Sequence, residues 1–149
     1  MTKRIEELDI IRGYALFGIL ICNMILFGYP SEYFSDYYSI HPGWINDFST
    51  YIRFNFFSDR TFTIFSFLFG LGIGMQYQKY LNSGKSFNKH HVIRMVILFF
   101  IGVFHGLVIW YGDILTLYAL LGVLTLPFIR LSTKNLLLIG LFLFFYPLR

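Results

Sequence analysis

Charge is scarce in this sequence: Asp, Glu, Lys and Arg make up 13% of the residues, whereas an ordinary soluble domain has about 25%. Apolar residues make up 56%, which is more than one core of this size can bury, so the excess predicts an apolar solvent, the lipid bilayer. Cysteine is nearly absent. Cys22 stands alone, which excludes an intrachain disulfide and predicts a small residue within a helix bundle.

Two kinds of ligand site are also missing. The basic residues do not form a stripe with aromatic residues between them, so the net charge of +4 does not indicate a nucleic-acid partner. Gly70 and Gly72 begin a dinucleotide-binding fingerprint, but Met75 occupies the position of its third glycine, and no strand is predicted before it. We expect neither a bound metal nor a bound cofactor.

Long apolar runs are what the sequence has instead. Five of them approach the ~20 residues that cross the hydrocarbon layer: 10–29, 61–77, 92–111, 114–129 and 135–149. Apolar residues recur at helical spacing over 44–58, which predicts an amphipathic helix on the membrane surface. The first run follows two basic residues, as in a secretory signal, but nearby acids and the lack of a cleavage site predict that it is retained. We therefore predict an all-α fold, a polytopic transmembrane bundle of about five spans in one domain, surrounded by membrane lipids.

Basic and acidic connections alternate along the chain. The N-terminal segment and the connections after the second and fourth runs are rich in Lys and Arg, whereas the first and third connections carry most of the remaining acids. Cationic connections stay in the cytoplasm. The sequence therefore predicts a multi-pass protein of the cytoplasmic membrane whose N-terminus is cytoplasmic.

Small residues lie four positions apart in two of the runs. Ser66, Gly70 and Gly74 share one helix face, and Gly102 and Gly106 share another. This spacing lets helix backbones approach closely in lipid. It predicts helix packing, and it leaves open association into a homo-oligomer.

His105 is an ionisable residue inside an apolar run, where such residues are costly and often functional. It follows Val92 by 13 residues, roughly 20 Å along a helix, and it shares a face with Gly102 and Gly106. A neutral imidazole at that depth can accept a proton. The alternative is a structural histidine that bonds to a neighbouring helix, and the sequence leaves both open.

Asp113 stands directly before the fourth run, where its carboxylate is predicted to cap the free amides of the helix. Eight helical residues would separate it from His105 by about 12 Å. Direct contact between the two is therefore not expected unless the chain folds back.

Four further polar residues at the first and third runs are candidates for binding phosphate groups or substrate. Asp9 and Arg12 have the spacing of an i,i+3 ion pair. Arg12 together with Arg94, and with Lys89 as a further candidate, would form a cationic entrance for phosphates on the cytoplasmic side. Snorkelling of the two arginines explains their positions nearly as well. Asn23 is expected to form an interhelical hydrogen bond.

Several segments resemble the YeiB-like family of bacterial membrane proteins. They occur in the family's order and span nearly the whole chain: 4–13, 15–19 with Asn23, 65–72, 102–105 and 112–122. The family is similar to transmembrane acyltransferases such as heparan-alpha-glucosaminide N-acetyltransferase, which shares the leucine-aspartate-x-x-arginine-glycine opening.

The resemblance implies a function and assigns residues to it. Acyl-coenzyme A would bind from the cytoplasm as a co-substrate, and a sugar or other small acceptor would bind on the extracytoplasmic side of the membrane. Arg12 and Arg94 would be candidates for the coenzyme phosphates, with Asp9, Asn23 and Asp113 beside them in the binding set. His105 would activate the acceptor or carry the acyl group. The family is longer than this chain, which implies an incomplete half of a larger bundle.

Two other functions fit the same residues. A transporter for a small solute or lipid precursor would line its path with His105, Asn23 and Asp113. A non-catalytic assembly subunit would use the glycine faces to bind a partner. Solute uptake without coenzyme consumption would favour the first, and assembly that is insensitive to His105→Ala would favour the second.

Overall fold

The computed structural model describes residues 5–28 and 41–146, and every regular element among them is a helix. The all-α prediction is therefore confirmed. The elements are α1 (Glu6–Gly28), α2 (Trp44–Ile52), a first π-helical turn (Arg53–Phe57), α3 (Ser58–Ser83), α4 (Phe87–Phe104), a second π-helical turn (His105–Ile109), α5 (Leu115–Leu124) and α6 (Thr133–Phe145). They form two compact units, Met1–Leu71 and Gly72–Arg149, and the boundary falls within α3.

The first unit is organised by α1 and the segment that follows α2. Acidic residues in the first turn of α1 favour its start there, because the amino end of a helix carries partial positive charge. Gly18 lies against α3, where an added Cβ would overlap the Thr61 side chain and come within 2.8 Å of the Phe57 ring. Tyr14 donates a hydrogen bond to the Phe56 carbonyl at 3.0 Å. Thr61 and Ala15 are fully buried beside these contacts.

The second unit contains a helical hairpin made of α4 and α5. Gly84, with a φ of +65°, terminates α3 in a conformation that favours glycine, and α4 begins three residues later. Contacts between α4 and the chain beyond it run antiparallel. Gly102 lies against Thr116, His91 contacts Gly122, and Asn88 contacts Arg130.

Two helical runs among the described residues are long and apolar enough to cross a membrane, Trp44–Ser83 and Phe87–Ile109. α5 and α6 are apolar but shorter, with 10 and 13 residues. α5 ends at Leu124, before the predicted end of the fourth run, and turns that include Pro127, which has no amide hydrogen, lead to Arg130. Length and composition therefore support two of the five predicted spans, and the ends of the first and fifth, Tyr29 and 147–149, lie outside the described residues.

Large apolar side chains are exposed along the helices of both units. Leu107 is 82% exposed, Phe144 80% and Phe67 68%. An apolar surface this extensive is unfavourable in water, so it requires lipid or further protein against it.

Candidate functional site

The site is built where the chain reverses between α4 and α5. The second π-helical turn begins at His105, and the Trp110 amide donates to the His105 carbonyl at 2.8 Å. Trp110 is extended, with φ −163° and ψ 128°, which ends the helix. Its ring then covers Gly112, where an added Cβ would overlap the indole. The helix stops early enough for Asp113 to return alongside the turn that carries His105.

This reversal places the Asp113 carboxylate on His105. Nδ1 of His105 lies 3.1 Å from Oδ1 of Asp113. The prediction that the two would not touch is wrong, because it assumed eight residues of continuous helix. The helical segment ends after Ile109, so the chain folds back instead of carrying Asp113 further away.

Asp113 also caps α5, as predicted. Its Oδ1 accepts from the Leu115 amide at 3.1 Å, and its Oδ2 accepts from the Thr116 amide at 2.9 Å. Burial would raise the pKa of Asp113, but hydrogen bonds from the Thr116 side chain and amide, the Leu115 amide and His105 outweigh it. The pKa of this carboxyl therefore lies below its ordinary value of 3.8, and Asp113 is ionised at neutral pH.

Two glycines make room for this arrangement. A Cβ at Gly102 would lie 2.5 Å from the Thr116 nitrogen and 2.6 Å from its hydroxyl oxygen. A Cβ at Gly106 would lie 3.1 Å from that of Asp113. The small residues thus allow the amino end of α5 to approach α4 closely enough for Asp113 to reach the imidazole.

The hydrogen bond determines which ring nitrogen of His105 is available. An ionised carboxylate only accepts, so Nδ1 carries the proton and donates it to Asp113. In the neutral imidazole Nε2 then has a free lone pair. The His105 side chain is 30% exposed and that of Asp113 is 8% exposed, so the carboxylate is sheltered while the imidazole is accessible. A base held by a buried carboxylate is the arrangement used for proton transfer and acyl transfer.

The other predicted substrate residues lie on α1, in the first unit, and on α4, in the second. Asp9 and Arg12 form the expected i,i+3 ion pair in α1, at 3.0 Å. Asn23 is partly buried in the same helix. Arg94 is exposed on α4, eleven residues before His105, or about 17 Å at helical rise. Their role in binding stays a prediction.

The small residues of α3 differ from those of α4. The Ser66 hydroxyl donates to the Phe62 carbonyl of its own helix at 2.8 Å. A Cβ at Gly70 or Gly74 would meet no atom of the described residues within 4 Å. Close packing on this face of α3 stays a prediction, whereas Gly102 is in close contact with α5.

Two residues of the hairpin were not anticipated from the sequence. His91 is 1% exposed, stacks on Phe87 with ring centroids 5.0 Å apart, and donates from Nε2 to the Gly122 carbonyl at 2.8 Å. Thr116 holds Asp113 through both its amide and its side chain. The spacing of His91, Met95 and Gly102, which places them on one helix face, is the signal that predicts contact with α5.

The described part of the chain contains no group of three or more His, Cys, Asp or Glu side chains that could hold a metal ion. The site consists of one imidazole, one carboxylate and the groups that orient them. These suffice for proton transfer and for nucleophilic chemistry at the imidazole.

Comparisons with known proteins extend over nearly the whole chain. Residues 4–149 match the family described as heparan-alpha-glucosaminide N-acetyltransferase, catalytic. The uncharacterized protein YxaH of Bacillus subtilis (strain 168) is 38% identical over 97% of this chain, and the uncharacterized protein YeiB of Escherichia coli (strain K12) is 32% identical over 95%. An uncharacterized 39.9 kDa protein of Bacillus acidopullulyticus is 32% identical over 90%.

The chain spans between 36 and 38% of the length of these relatives, which is less than the half expected from the sequence. No solved structure matches it significantly. The chain belongs to a YeiB-like family that is related to heparan-alpha-glucosaminide N-acetyltransferase.

Proposed function

We propose that this chain is the part of a membrane acyltransferase that carries the reacting histidine. The full protein moves an acyl group from cytoplasmic acyl-coenzyme A to an acceptor, a sugar or other small molecule, on the opposite side of the membrane. The observation that carries the proposal is the hydrogen bond between His105 and Asp113 at 3.1 Å, which leaves Nε2 of the imidazole free. The family match supports acyl transfer as the reaction class.

His105 can serve the reaction in two ways. As a general base, Nε2 takes the proton from the acceptor hydroxyl or amine while that atom attacks the thioester carbonyl, and the proton then passes to the departing thiolate. As a nucleophile, Nε2 itself attacks the thioester, and coenzyme A leaves as the thiolate. The acyl-imidazolium then transfers its acyl group to the acceptor, and the proton that the acceptor loses converts the thiolate to the thiol. In both, Asp113 stabilises the positive charge that develops on the ring.

The length of α4 suits a donor that enters from the cytoplasm. Arg94 precedes His105 by about 17 Å of helix, which is comparable to the extended arm that joins the phosphates of coenzyme A to its thioester. A phosphate bound near Arg94 would therefore place the acyl group near the imidazole. Arg12 is the second candidate for a phosphate contact, and its ion pair with Asp9 would orient its side chain.

The reaction is tested with the full-length protein in vesicles and acetyl-coenzyme A labelled in the acetyl group. We expect label on the protein without acceptor if His105 is a nucleophile, and transfer only with an added acceptor such as glucosamine if it is a base. His105→Ala should lower transfer by about 10²- to 10⁴-fold. His90→Ala, which removes an exposed histidine of the same helix, should leave it unchanged. Equal transfer by parent and His105→Ala would refute the mechanism.

The membrane orientation is tested separately. We propose that the N-terminus and the connection between α3 and α4 are cytoplasmic, because that connection is basic. In a Cys22→Ser background, a cysteine introduced at Lys85 should react with an impermeant maleimide only after the cells are opened. Labelling of intact cells would reverse the orientation and, with it, the proposed side of donor entry.

A further inference from the structure

The end of the α4–α5 hairpin that lies away from His105 is cationic. Arg130 follows α5, and its guanidinium donates to the Asn88 side chain at 3.1 Å, which brings the turn after α5 to the first turn of α4. Lys89 neighbours Asn88, and Lys134 lies in the first turn of α6. We call Lys89, Arg130 and Lys134 the cationic end.

Within the part of the chain that the structure describes, no carboxylate is paired with these charges. Among the described residues of the second unit, the one acidic side chain is Asp113, and it is bonded to His105 at the other end of the hairpin. Seventeen helical residues separate Asn88 from His105, about 26 Å, so Asp113 is too distant to neutralise the cationic end. No ion pair forms at the cationic end within the described part of the chain.

Apolar side chains begin immediately beside the cationic end. On α4 and on α5 with its following turn they are well exposed: Val92 38%, Ile93 47%, Val96 46%, Leu121 46%, Leu124 60% and Phe128 43%. A ligand that covers both features needs an anionic group and a long hydrocarbon portion. Inorganic phosphate matches the charges but leaves the apolar flank uncovered.

His91 fixes this end of the hairpin. Its buried side chain bonds to Gly122 one turn after Asn88, and it stacks on Phe87. The Asn88–Arg130 contact therefore lies next to the buried contacts of His91, so the guanidinium of Arg130 is already oriented before a ligand binds. Orientation before binding lowers the entropy cost of recognition.

We propose that the cationic end binds the headgroup of an anionic phospholipid, with the acyl chains lying along the exposed apolar flank of α4 and α5. The interaction does not depend on acyl transfer, although Lys89 precedes Arg94, a candidate for the coenzyme phosphates, by five residues on α4. It anchors the hairpin end at the surface of one leaflet, so that His105 lies about 26 Å deeper along α4, close to the ~30 Å thickness of the hydrocarbon layer.

The test measures lipid retained by the purified full-length protein, without acyl-coenzyme A. Phosphatidylglycerol and phosphatidylcholine are titrated into detergent-solubilised protein, and bound lipid is counted by native mass spectrometry. The Arg130→Gln/Lys134→Gln variant should weaken phosphatidylglycerol binding by about fivefold for each cation removed and leave phosphatidylcholine binding unchanged. Arg60→Gln, which removes one exposed charge from the first unit, is the matched control and should behave as the parent.

Three results would overturn the proposal. The first is unchanged phosphatidylglycerol binding by the double variant, and the second is an equal loss in Arg60→Gln. The third is displacement of the lipid by inorganic phosphate but not by chloride at equal ionic strength, which would indicate a free-phosphate site. Lys89→Gln/Lys134→Gln leaves the Asn88–Arg130 contact in place, so it repeats the test if the first variant folds poorly. Because the readout is bound lipid, a failure of acyl transfer does not affect it.

Discussion

Gly102→Ala is the substitution whose outcome follows most directly from the geometry. The added methyl group would lie 2.5 Å from the Thr116 nitrogen, 2.6 Å from its hydroxyl oxygen and 3.0 Å from the Leu115 carbonyl carbon. Two of these atoms belong to the backbone, so no side-chain rotation relieves the overlap and α5 must move away from α4. Overpacking of this kind costs about 1–3 kcal/mol. Because the Thr116 amide bonds to Asp113, the displacement also lengthens the contact with His105.

Two measurements check this reasoning. Thermal unfolding in detergent should show a lower Tm, at about 2–4 °C for each kcal/mol in a domain of 150–250 residues, and acyl transfer should fall with it. Gly70→Ala is the matched control, because a Cβ there meets no described atom within 4 Å and alanine favours the helix. A Gly102→Ala protein that melts and reacts like its parent would show that α4 and α5 are not in contact at this point.

Three further predictions concern the hydrogen bonds of the hairpin. Asp113→Asn should lower acyl transfer, since an amide cannot stabilise a charged His105, and it should remove the stability that the carboxylate contributes. Because the pKa of Asp113 is depressed, that contribution is complete above about pH 4. It is lost as the pH falls through the folded-state pKa, so the free energies of unfolding of parent and variant should converge in acid. Thr116→Val should move the acid limb of the pH–rate profile of acyl transfer to higher pH, and Thr116→Ser should restore it. Identical profiles would contradict the role given to the Thr116 hydroxyl. His91→Ala should lower the free energy of unfolding by about 2–4 kcal/mol, because it removes packing and breaks a buried hydrogen bond. In the same chemical denaturation, the His90→Ala variant should unfold like the parent.

The sequence predicted the helices and singled out the candidate histidine because both leave local signals. Apolar runs and helical spacing depend only on neighbours along the chain, which is why each of the five predicted runs contains a helix within the described residues. His105 was singled out because an ionisable group is costly in an apolar run. Asp113 was recognised as a cap because a cap bonds to amides two and three residues ahead.

The contact between His105 and Asp113 could not be read from spacing alone. It depends on where the helix ends, and the π-helical turn and the extended Trp110 determine that end. The same applies to His91, whose partner Gly122 is 31 residues away. Such pairings depend on the register between two helices, and periodicity within one helix does not specify register.

The hairpin has a consequence for how the protein assembles. The side-chain hydrogen bonds between α4 with its π-helical turn and the chain beyond them join residues that are 8 to 42 positions apart, and they lie between Phe87 and the turn after α5. A segment that holds its pairing contacts within itself can acquire its native pairing without waiting for distant parts of the chain. The imidazole–carboxylate pair would thus form together with the hairpin itself.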